Sequence, residues 1–426
     1  MYGDKFRNVE KYIAIAKEKD KDCKVFGACR HRYKCNPVAS MEDVKAFEKK
    51  TGLKLPENYV YFLTHIGNGG AGPHYGMYSL EELGRFHNEQ DPIREADRKA
   101  FLDEKMTLEM WKNTMDGLDE EELTDDDWDE TINMVMAGAL NIGTQGCTFE
   151  TLLMCKGSEI GKIVYIDTNF EGECPPYFTG MTFEEWYTDY FKAIAMGIDV
   201  SGYGSFTVGT EQELMKWLKQ EKSIEKKKKC LCGLRRLSVL SEETISYIET
   251  ISEKELDGER LRLLLTCDEE RGKYLFEKLI NGDNPVAAAN CLRLLPDDLK
   301  YKYYDKVIDL LCENGTDIDF YLIYLASDAP QRSMRDFQKI LENRIMEDYK
   351  KKTVYYAMLR CPDAKEHMGY FVQQLREGDY HTVEGILSGL KSTNLYSEEL
   401  AEVLDELLVK FKEYPIIRRE IEYIKS

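Results

Sequence analysis

The feature that most constrains the fold is a short turn that recurs in the C-terminal half of the chain. Leucine-rich stretches end in an aspartate in LLTCD, LLPDD, YLASD and LRCPD, at Asp268, Asp298, Asp328 and Asp363. The steps are 30, 30 and 35 residues, and the stretches between them have helical apolar spacing. Such a period is typical of stacked helix pairs, because each pair buries its apolar face on the next. Residues 236–426 are therefore predicted to form a HEAT-like, all-α helical-repeat domain.

The first 205 residues follow a different pattern and are predicted to form an α+β domain. Apolar spacing and capping residues predict helices at 4–19, 41–50, 56–66 and 181–197, and short β-branched runs predict antiparallel strands at 139–143, 147–155 and 162–167. Residues 206–235 are predicted to be a linker or helix. The basic run Lys226 to Lys229 is interpreted as the solvated part of that helix.

The charge balance disfavours two classes of partner. The chain of 426 residues has 78 acidic and 58 basic residues, a net charge of −20. An acidic surface repels nucleic-acid phosphates and anionic membranes and attracts basic proteins. The N-terminus has mixed charge and no apolar signal segment, and no window is apolar enough to span a bilayer. We expect a cytoplasmic protein that binds neither nucleic acid nor membrane.

A glycine-rich turn follows the predicted third helix, in the run Asn68-Gly69-Gly70-Ala71-Gly72-Pro73. A phosphate-binding loop needs a Lys-Ser/Thr pair after its last glycine, and a dinucleotide turn needs Gly-x-Gly-x-x-Gly after a strand. This turn follows a helix and continues as Pro73-His74-Tyr75. The favoured interpretation is a tight turn in which glycines supply positive φ and allow close backbone approach.

The same region is similar to the SUKH superfamily over about residues 38–197. The resemblance is carried by VKAFEKKTGLKLPENYVYFLTHIGNGGAGPHYGMYSLEEL, then by GCTFETLLMCKGSEIGKIVYID and MTFEEWYTDYFKAI. It implies an α+β fold with a mixed sheet flanked by helices. It also implies a binder rather than a catalyst, since the family is typified by bacterial immunity proteins that neutralise toxins, often nucleases, and by fungal regulators of cell-wall synthesis. The positions that define the fold in this resemblance are Leu55, Pro56, Tyr59, Phe62, Leu63, Asn68, Gly69 and Gly70.

Two features depart from that family pattern: the helical array and a polar insertion at about residues 84–138. Residues 101–130 contain 13 acidic and 2 basic residues. The favoured interpretation is a solvated like-charge face, and the functional alternative is an anionic surface that mimics nucleic acid and docks on a basic nuclease. The spacing does not suit an EF-hand calcium loop. The candidate partner-binding residues are Asp119, Glu120, Glu121, Glu122, Asp125, Asp126, Asp127 and Trp128, with His74 and Tyr75 at the tip of the glycine turn.

The chemistry-bearing residues form no catalytic pattern. Cys23, Cys29, His31 and Cys35 match zinc-ligand spacing loosely, so ordinary thiols are favoured and a structural zinc stays an open alternative. No histidine lies in a Gly-x-Ser-x-Gly or His-Glu-x-x-His sequence. We predict that the protein is not an enzyme and uses no cofactor.

The leading hypothesis is an immunity protein whose N-terminal domain binds a basic toxin domain. The alternative is a scaffold or regulatory protein that binds its partners through the C-terminal helical array, since solenoids offer extended binding surfaces. The pattern leaves the oligomeric state open.

Overall fold

The computed structural model describes residues 6–86, 98–115, 125–169, 174–282, 284–316, 318–393, 395 and 398–425. The chain divides into two compact units, Met1–Ser238 and Val239–Ser426. Within the described residues, no helix is long and apolar enough to cross a membrane.

The first unit contains helices on both sides of one four-stranded sheet. Its described helices are α1 (Val9–Lys19), α2 (Ala28–His31), α3 (Met41–Thr51), α4 (Glu57–His65), α5 (Leu80–Phe86), α6 (Leu108–Met115), α7 (Asp125–Val135), α8 (Phe183–Met196), α9 (Glu211–Gln220) and α10 (Ile224–Arg235). Its strands are β1 (Ala139–Gly146), β2 (Phe149–Met154), β3 (Lys162–Asp167) and β4 (Tyr177–Thr182). The α+β class is confirmed. The segment 206–235 forms α9 and α10 and belongs to this unit.

The sheet is a simple meander in the order β1-β2-β3-β4, and every described strand pair is antiparallel. The mixed sheet implied by the family resemblance is therefore wrong for the described strands. The reason lies in the lengths of the connections: two residues separate β1 from β2, seven separate β2 from β3 and nine separate β3 from β4, whereas parallel neighbours need a crossover of about a dozen residues or more. The β1–β2 turn uses positive φ at Gly146 (98°) and Cys147 (51°).

Each face of the sheet is covered by its own apolar cluster. The inner cluster joins the sheet to α1, α4 and α8, and includes Ile13, Phe62, Leu153, Ile163 and Tyr187. The outer cluster joins the opposite face to residues of the insertion and consists of Leu102, Trp111, Met115, Val135, Ala139, Leu152, Met154, Val164 and Ile166. Neighbours along a strand point to opposite faces, so the alternation along β2 and β3 divides their residues between the two clusters.

The two long helices that frame the inner cluster begin with capping boxes. The Ser40 hydroxyl accepts from the backbone N–H of Asp43 (3.1 Å), and the Asp43 carboxylate accepts from that of Ser40 (3.0 Å). Thr182 and Glu185 form the same reciprocal pair at the start of α8. These bonds satisfy N–H groups that have no partner inside the helix and fix where α3 and α8 begin.

All the regular secondary structure described in the second unit is helical, which confirms the predicted all-α region. Its α-helices are α11 (Glu242–Thr250), α12 (Asp257–Cys267), α13 (Glu269–Ile280), α14 (Pro285–Ala289), α15 (Asp297–Lys300), α16 (Tyr304–Cys312), α17 (Leu322–Ser327), α18 (Met334–Asn343), α19 (Asp348–Leu359), α20 (Met368–Glu377), α21 (Tyr380–Lys391), α22 (Glu398–Lys410) and α23 (Pro415–Lys425). Helices pack on the helix after next: α16 on α18 and α20 on α22 in one layer, α17, α19, α21 and α23 in the other. This is the packing of stacked helix pairs.

Polar contacts between neighbouring repeats follow the sequence period of about 30 residues. The carboxylate of Asp363 accepts from the backbone N–H of Met334, 29 positions earlier, at 3.0 Å. The Asn284 side-chain amide donates to the carbonyl of Lys254, 30 positions earlier, at 3.1 Å. The spacing seen in the sequence is thus the spacing of side chains that join one helix pair to the next.

Candidate functional site

The glycine turn that follows α4 is hydrogen-bonded to other segments of the chain. The Oδ1 of Asn68 accepts from the backbone N–H of Leu80 at 2.9 Å. Gly69 and Gly70 have φ values of +82° and +92°, and a Cβ atom at either would lie within 2.8 Å of neighbouring backbone atoms. Gly70 forms bridges to both Cys35 and Met77. A side chain at either glycine would be strained and would clash, so the turn requires glycine there.

The other residues of the family resemblance lie directly beneath this turn. Pro56 is the N-cap of α4, and Leu55, Tyr59, Phe62 and Leu63 are buried in the inner cluster. Tyr187 of α8 donates from its hydroxyl to the carbonyl of Ala71 at 2.8 Å. The turn is thereby fastened to the core, and its tip does not project: Ala71, Gly72 and Pro73 are buried, and His74 and Tyr75 are half-buried.

The tip residues His74 and Tyr75 contact other aromatic rings. His74 has a φ of 54°, and its ring packs edge to face on Tyr165 with 6.0 Å between centroids. Tyr75 packs against Phe26, 5.1 Å away. His74 contributes to the lining of an open cleft of about 940 Å³. We name it the α1–α8 cleft because its walls come from the C-terminal ends of those helices and the loops that follow them.

The α1–α8 cleft has an aromatic mouth and an apolar wall. Phe26 and Phe149, at its mouth, are 59% and 46% exposed. The wall includes Tyr190, Ile194 and Ile198 of α8 and the turn after it. Concave sites of this size lined by apolar and aromatic side chains are the usual form of a ligand site.

Two histidines with lowered pKa values lie at the glycine turn: His74 lines the cleft, and His31 lies against Gly76. Burial lowers the pKa of His74 to about 4 and that of His31 to about 4. His31 is oriented by its own backbone, since its Nδ1 accepts from the N–H of Tyr33 at 3.0 Å. The Nε2 atom of His74 is buried and has no hydrogen-bond partner among the described residues. A buried polar atom without a hydrogen bond destabilises the folded state by about 1–3 kcal/mol.

The carboxylates of the cleft are engaged by the protein itself. Asp20 accepts from the Tyr33 hydroxyl at 2.6 Å and from the backbone N–H of Lys24 at 2.7 Å. Asp199 accepts from the N–H and hydroxyl of Ser201 and faces Arg236. Burial by itself would raise the pKa of the Asp199 carboxyl, but these bonds and the charge of Arg236 outweigh it and hold the pKa below the usual range. Both acids therefore act as structural acceptors.

The lysines of the cleft are less engaged. Within the described part of the chain Lys19 forms no ion pair, and its Nζ lies 3.6 Å from the position a Cβ would take at Gly197. Lys24 pairs with Asp22 at 3.3 Å where both side chains are at least 75% exposed, a setting in which an ion pair contributes about 0–1 kcal/mol. The cleft lining thus contains two basic and two acidic side chains, Lys19 and Lys24 with Asp20 and Asp199.

The structure does not describe the side chains of the candidate acidic residues. Asp119, Glu120, Glu121 and Glu122 are outside the described residues, and Asp125, Asp126, Asp127 and Trp128 are described only as backbone in the first turn of α7. What the structure does show is how the insertion is attached. Trp111 of α6 is fully buried in the outer cluster, an anchor that the acidic composition concealed although Trp111 and Met115 have the i, i+4 spacing of a buried helix face.

The cysteines do not assemble a metal centre among the described residues. All twelve are free thiols, and no group of three or more His, Cys, Asp or Glu in the described part of the chain is arranged to hold a metal ion. The loosely spaced set of Cys23, Cys29, His31 and Cys35 is divided between exposed Cys29 and buried His31. Burial raises the pKa of the Cys35 thiol, which lies 3.6 Å from the Tyr187 hydroxyl.

Comparison with known families places the glycine turn and the sheet in one domain. Residues 38–189 match the model of the SMI1/KNR4 family (SUKH-1). The match begins before α3 and ends within α8, so it includes the turn, the insertion and the whole sheet. No curated protein and no solved structure matches the chain.

Proposed function

We propose that this chain, whose residues 38–189 form a SUKH-1 domain, is a non-enzymatic cytoplasmic immunity protein that binds and neutralises a basic toxin domain. The domain is consistent with a protein-interaction role without catalysis. The observation that carries the proposal is the family match over the turn and sheet. Its insertion adds a concentrated negative charge in the sequence, which is the element we assign to toxin binding.

The distribution of charge in the first unit supports a basic partner. Residues 1–238 contain 41 acidic and 32 basic residues, of which 13 acidic and 2 basic fall within 101–130. Outside that segment the unit is close to neutral. A local excess of one sign accelerates association with a partner of the opposite sign and makes it sensitive to salt.

The attachment of the insertion supports the same role. The buried Trp111 anchors α6 on the outer face of the sheet, so the acidic residues that follow in the chain start from a fixed point. A charged surface held by a packed anchor loses less conformational entropy on binding than a free tail does. We propose that the anchored insertion covers the active site of the toxin or the path of its substrate.

The first experiment is capture of the tagged full-length chain from the lysate of its own cells, with washes at low and high salt. One basic, toxin-like protein retained in near-stoichiometric amount, and released by salt, supports the proposal. Co-expression then tests neutralisation: the chain must restore growth of cells that produce that protein. Several unrelated proteins, or none, would contradict it.

The second experiment measures the association rate with the captured partner for a variant carrying Asp125→Asn, Asp126→Asn and Asp127→Asn. Loss of three negative charges is expected to slow association by about tenfold at low salt and to flatten its salt dependence. The matched control is Glu42→Gln, Glu57→Gln and Glu413→Gln, three exposed acids outside the insertion. Equal rates for the two variants would remove the insertion from the binding surface.

A scaffold role for the second unit is the other candidate function. Tyr321, the N-cap residue of α17, stacks on Tyr324 within that helix, with 6.0 Å between ring centroids. Tyr324 packs edge to face on Tyr356 of α19, with 6.1 Å between centroids. Tyr321 is 70% exposed. Exposed tyrosines that run across neighbouring repeats are typical of protein-binding surfaces. Partners retained by residues 239–426 and lost with Tyr321→Ser would favour this role.

A further inference from the structure

We propose that the lysines of the α9–α10 hairpin bind a short acidic segment of a partner protein, one that also carries an aromatic side chain. The hairpin consists of α9, the three residues that follow it, and α10. The proposal is independent of toxin binding, since it concerns a surface of the opposite charge that lies outside the acidic insertion. It rests on the charge, the exposure and the anchoring of the hairpin.

The charge of the hairpin is opposite to that of the rest of the chain. Residues 211–236 contain nine basic and four acidic residues, whereas the rest of the chain contains 49 basic and 74 acidic residues. Within the hairpin the basic residues concentrate in 216–229, where seven lysines accompany two glutamates. These glutamates, Glu221 and Glu225, pair with Lys226 and Lys228, and five positive charges remain in excess. Such an excess attracts a partner of negative charge.

The outer face of the hairpin combines lysines with one tryptophan. Apolar residues bury the inner faces of both helices. Trp217 is 38% exposed, and the neighbouring lysines along the hairpin are exposed as well, at Lys216, Lys219, Lys222 and Lys226. We name this surface the lysine patch and define it by Trp217 and these four lysines.

The lysine patch is anchored to the sheet by the last lysine of the basic run. Lys229 is half-buried, and its ammonium group donates to the carbonyls of Thr179 at 2.6 Å and Gly204 at 3.2 Å. The same group lies 5.3 Å from the ring centroid of Tyr177. Lys229 thus holds α10 against β4. A surface that is held in place before binding loses less conformational entropy when a partner binds.

The size of the patch favours a short segment over a long polyanion. Helix α9 has ten residues, which is about 15 Å of helix, and an extended peptide crosses that length in about five residues. Electrostatic attraction falls off over about 8 Å at physiological ionic strength. A nucleic acid or an anionic membrane extends farther and meets the excess negative charge of the rest of the chain, which opposes its binding. A short segment contacts the patch alone.

The aromatic side chain of the partner is assigned from Trp217. The indole lies against Gly209, where a Cβ would be 3.1 Å from Cζ3 of the ring, and its other surface is open to solvent. Aromatic side chains pack on such a ring in offset or edge-to-face contacts that add to the burial of apolar area. A purely acidic segment would satisfy the lysines and leave Trp217 exposed.

Titration of the full chain with three dye-labelled peptides, followed by fluorescence anisotropy at low salt, tests the assignment. The peptides are EDEFEDEE, its uncharged counterpart QNQFQNQQ, and EDEAEDEE, which lacks the ring. We expect the first to bind, the second to bind about tenfold more weakly because several ion pairs are lost, and the third about three- to tenfold more weakly. No binding of the first peptide at millimolar concentration, or equal binding of the first two, would overturn the proposal.

A lysine variant locates the charge contacts. The variant carries Lys216→Gln, Lys219→Gln and Lys222→Gln, and should bind EDEFEDEE about tenfold more weakly than the unchanged chain does. A control variant removes three exposed lysines outside the hairpin and should bind as the unchanged chain does; its changes are Lys34→Gln, Lys45→Gln and Lys49→Gln. Equal affinities of the two variants would overturn the assignment to the hairpin.

A tryptophan variant locates the aromatic contact. Trp217→Ala leaves every lysine of the patch in place, so it should still prefer EDEFEDEE to the uncharged peptide. It should no longer distinguish EDEFEDEE from EDEAEDEE. A preference for the phenylalanine peptide that stays unchanged would remove Trp217 from the binding surface.

Other occupants of the patch give different results. Single-stranded DNA of twenty nucleotides and vesicles that contain phosphatidylserine should each bind more weakly than EDEFEDEE at physiological salt, and tighter binding of either would overturn the choice of a protein segment. Sedimentation of the full chain tests whether the acidic insertion of a second copy is the occupant. Equal sedimentation of the unchanged chain and the lysine variant supports a separate partner, whereas self-association that the lysine variant abolishes would overturn it.

Discussion

Contacts that stabilise the first unit join residues more than a hundred positions apart, whereas those between repeats of the second unit join residues about thirty positions apart. In the first unit Tyr187 reaches Ala71 across 116 positions and Asn58 reaches Gly161 across 103. In the second unit Lys391 pairs with Glu420 across 29 and Lys352 with Glu384 across 32. A destabilising substitution in the first unit should therefore lower the stability of the whole unit through its shared core. In the second unit such a substitution should mainly affect the neighbouring repeats.

The two units also use charge differently. Residues 239–426 hold 37 acidic and 26 basic residues, many of them paired between neighbouring repeats, as Arg360 is with Asp328 at 2.8 Å. The excess negative charge of the first unit lies instead in one insertion. Ion pairs distributed along the second unit join neighbouring repeats. A concentrated excess of one charge can instead attract a partner of the opposite charge.

The largest effect is expected from Trp111→Ala in the outer cluster. Removing a fully buried tryptophan loses its burial and leaves a cavity, at a cost of about 3–5 kcal/mol in the free energy of unfolding. All four tryptophans lie in residues 1–238, so urea unfolding followed by the fluorescence of the remaining three reports on this unit. Trp217→Ala, at a side chain 38% exposed, is the control and should cost less. A loss below about 1 kcal/mol in Trp111→Ala would show that the insertion is not a packed layer.

A similar loss confined to the second unit is expected from Asp257→Ala. Asp257 and Arg260 are a buried ion pair at 2.8 Å with both side chains 7% exposed, and Asn284 of the next repeat donates to Asp257 at 3.0 Å. Removing one partner leaves a buried charge, which costs about 3–5 kcal/mol. Far-UV circular dichroism should show the shift, and the tryptophan transition should not move.

The matched control for that change is the double variant Asp257→Leu with Arg260→Met. It removes both charges together, and replacement of a buried pair by apolar residues is often neutral. The double variant should therefore be more stable than Asp257→Ala alone. If it is less stable, the hydrogen bonds from Arg260 to the carbonyls of Ile248 and Glu249 outweigh the ion pair.

Local patterns in the sequence predicted the elements of both units. Capping residues and apolar spacing predicted helices at 41–50 and 181–197, and the structure has α3 and α8 there, each beginning with a capping box. The period of aspartates predicted an all-α second unit, and Asp328 and Asp363 do bond to a neighbouring repeat. These features depend on residues a few positions apart or on a regular repeat, so one sequence is enough to reveal them.

Features that depend on tertiary assembly were missed. The outer cluster unites Trp111 with strand residues such as Leu152 and Val164, and the α1–α8 cleft unites Phe26, His74 and Ile198. The residues of each set are far apart in the sequence, so no local pattern shows that they come together. The acidic composition of the insertion favoured a solvated face, although one face of α6 packs on the sheet through Trp111 and Met115.

A pH effect of intermediate size is expected in the first unit. Burial holds the pKa of His31 and of His74 near 4 in the folded state, below the ordinary value of about 6.5. Between those values the unfolded chain binds more protons, so stability falls as the pH falls. Each histidine should remove about 2 kcal/mol between pH 7 and pH 5.

Variants assign that pH effect to the two rings. Urea unfolding followed by tryptophan fluorescence at pH 7 and pH 5 should show a smaller loss in His74→Asn and in His31→Asn than in the unchanged chain. The double variant should lose least. If all four proteins show the same difference between the two pH values, the histidines do not control it, and the first unit is no more sensitive to acid than the second.

The smallest effect is expected from Asp363→Ala, which breaks one polar contact between repeats. Its carboxylate accepts from the first N–H of α18, where Ser333, the N-cap residue, makes no side-chain capping bond. Asp363 thus caps a helix of the preceding pair, and loss of a cap costs about 1 kcal/mol. Glu366→Ala, at an exposed acid three residues later, removes the same charge and should have a smaller effect.

Because each repeat is stabilised by its neighbours, the effect of Asp363→Ala should appear in far-UV circular dichroism and leave the tryptophan transition in place. A shift of both transitions would mean that the two units unfold together, and the contrast between a shared core and a chain of neighbours would no longer describe this protein.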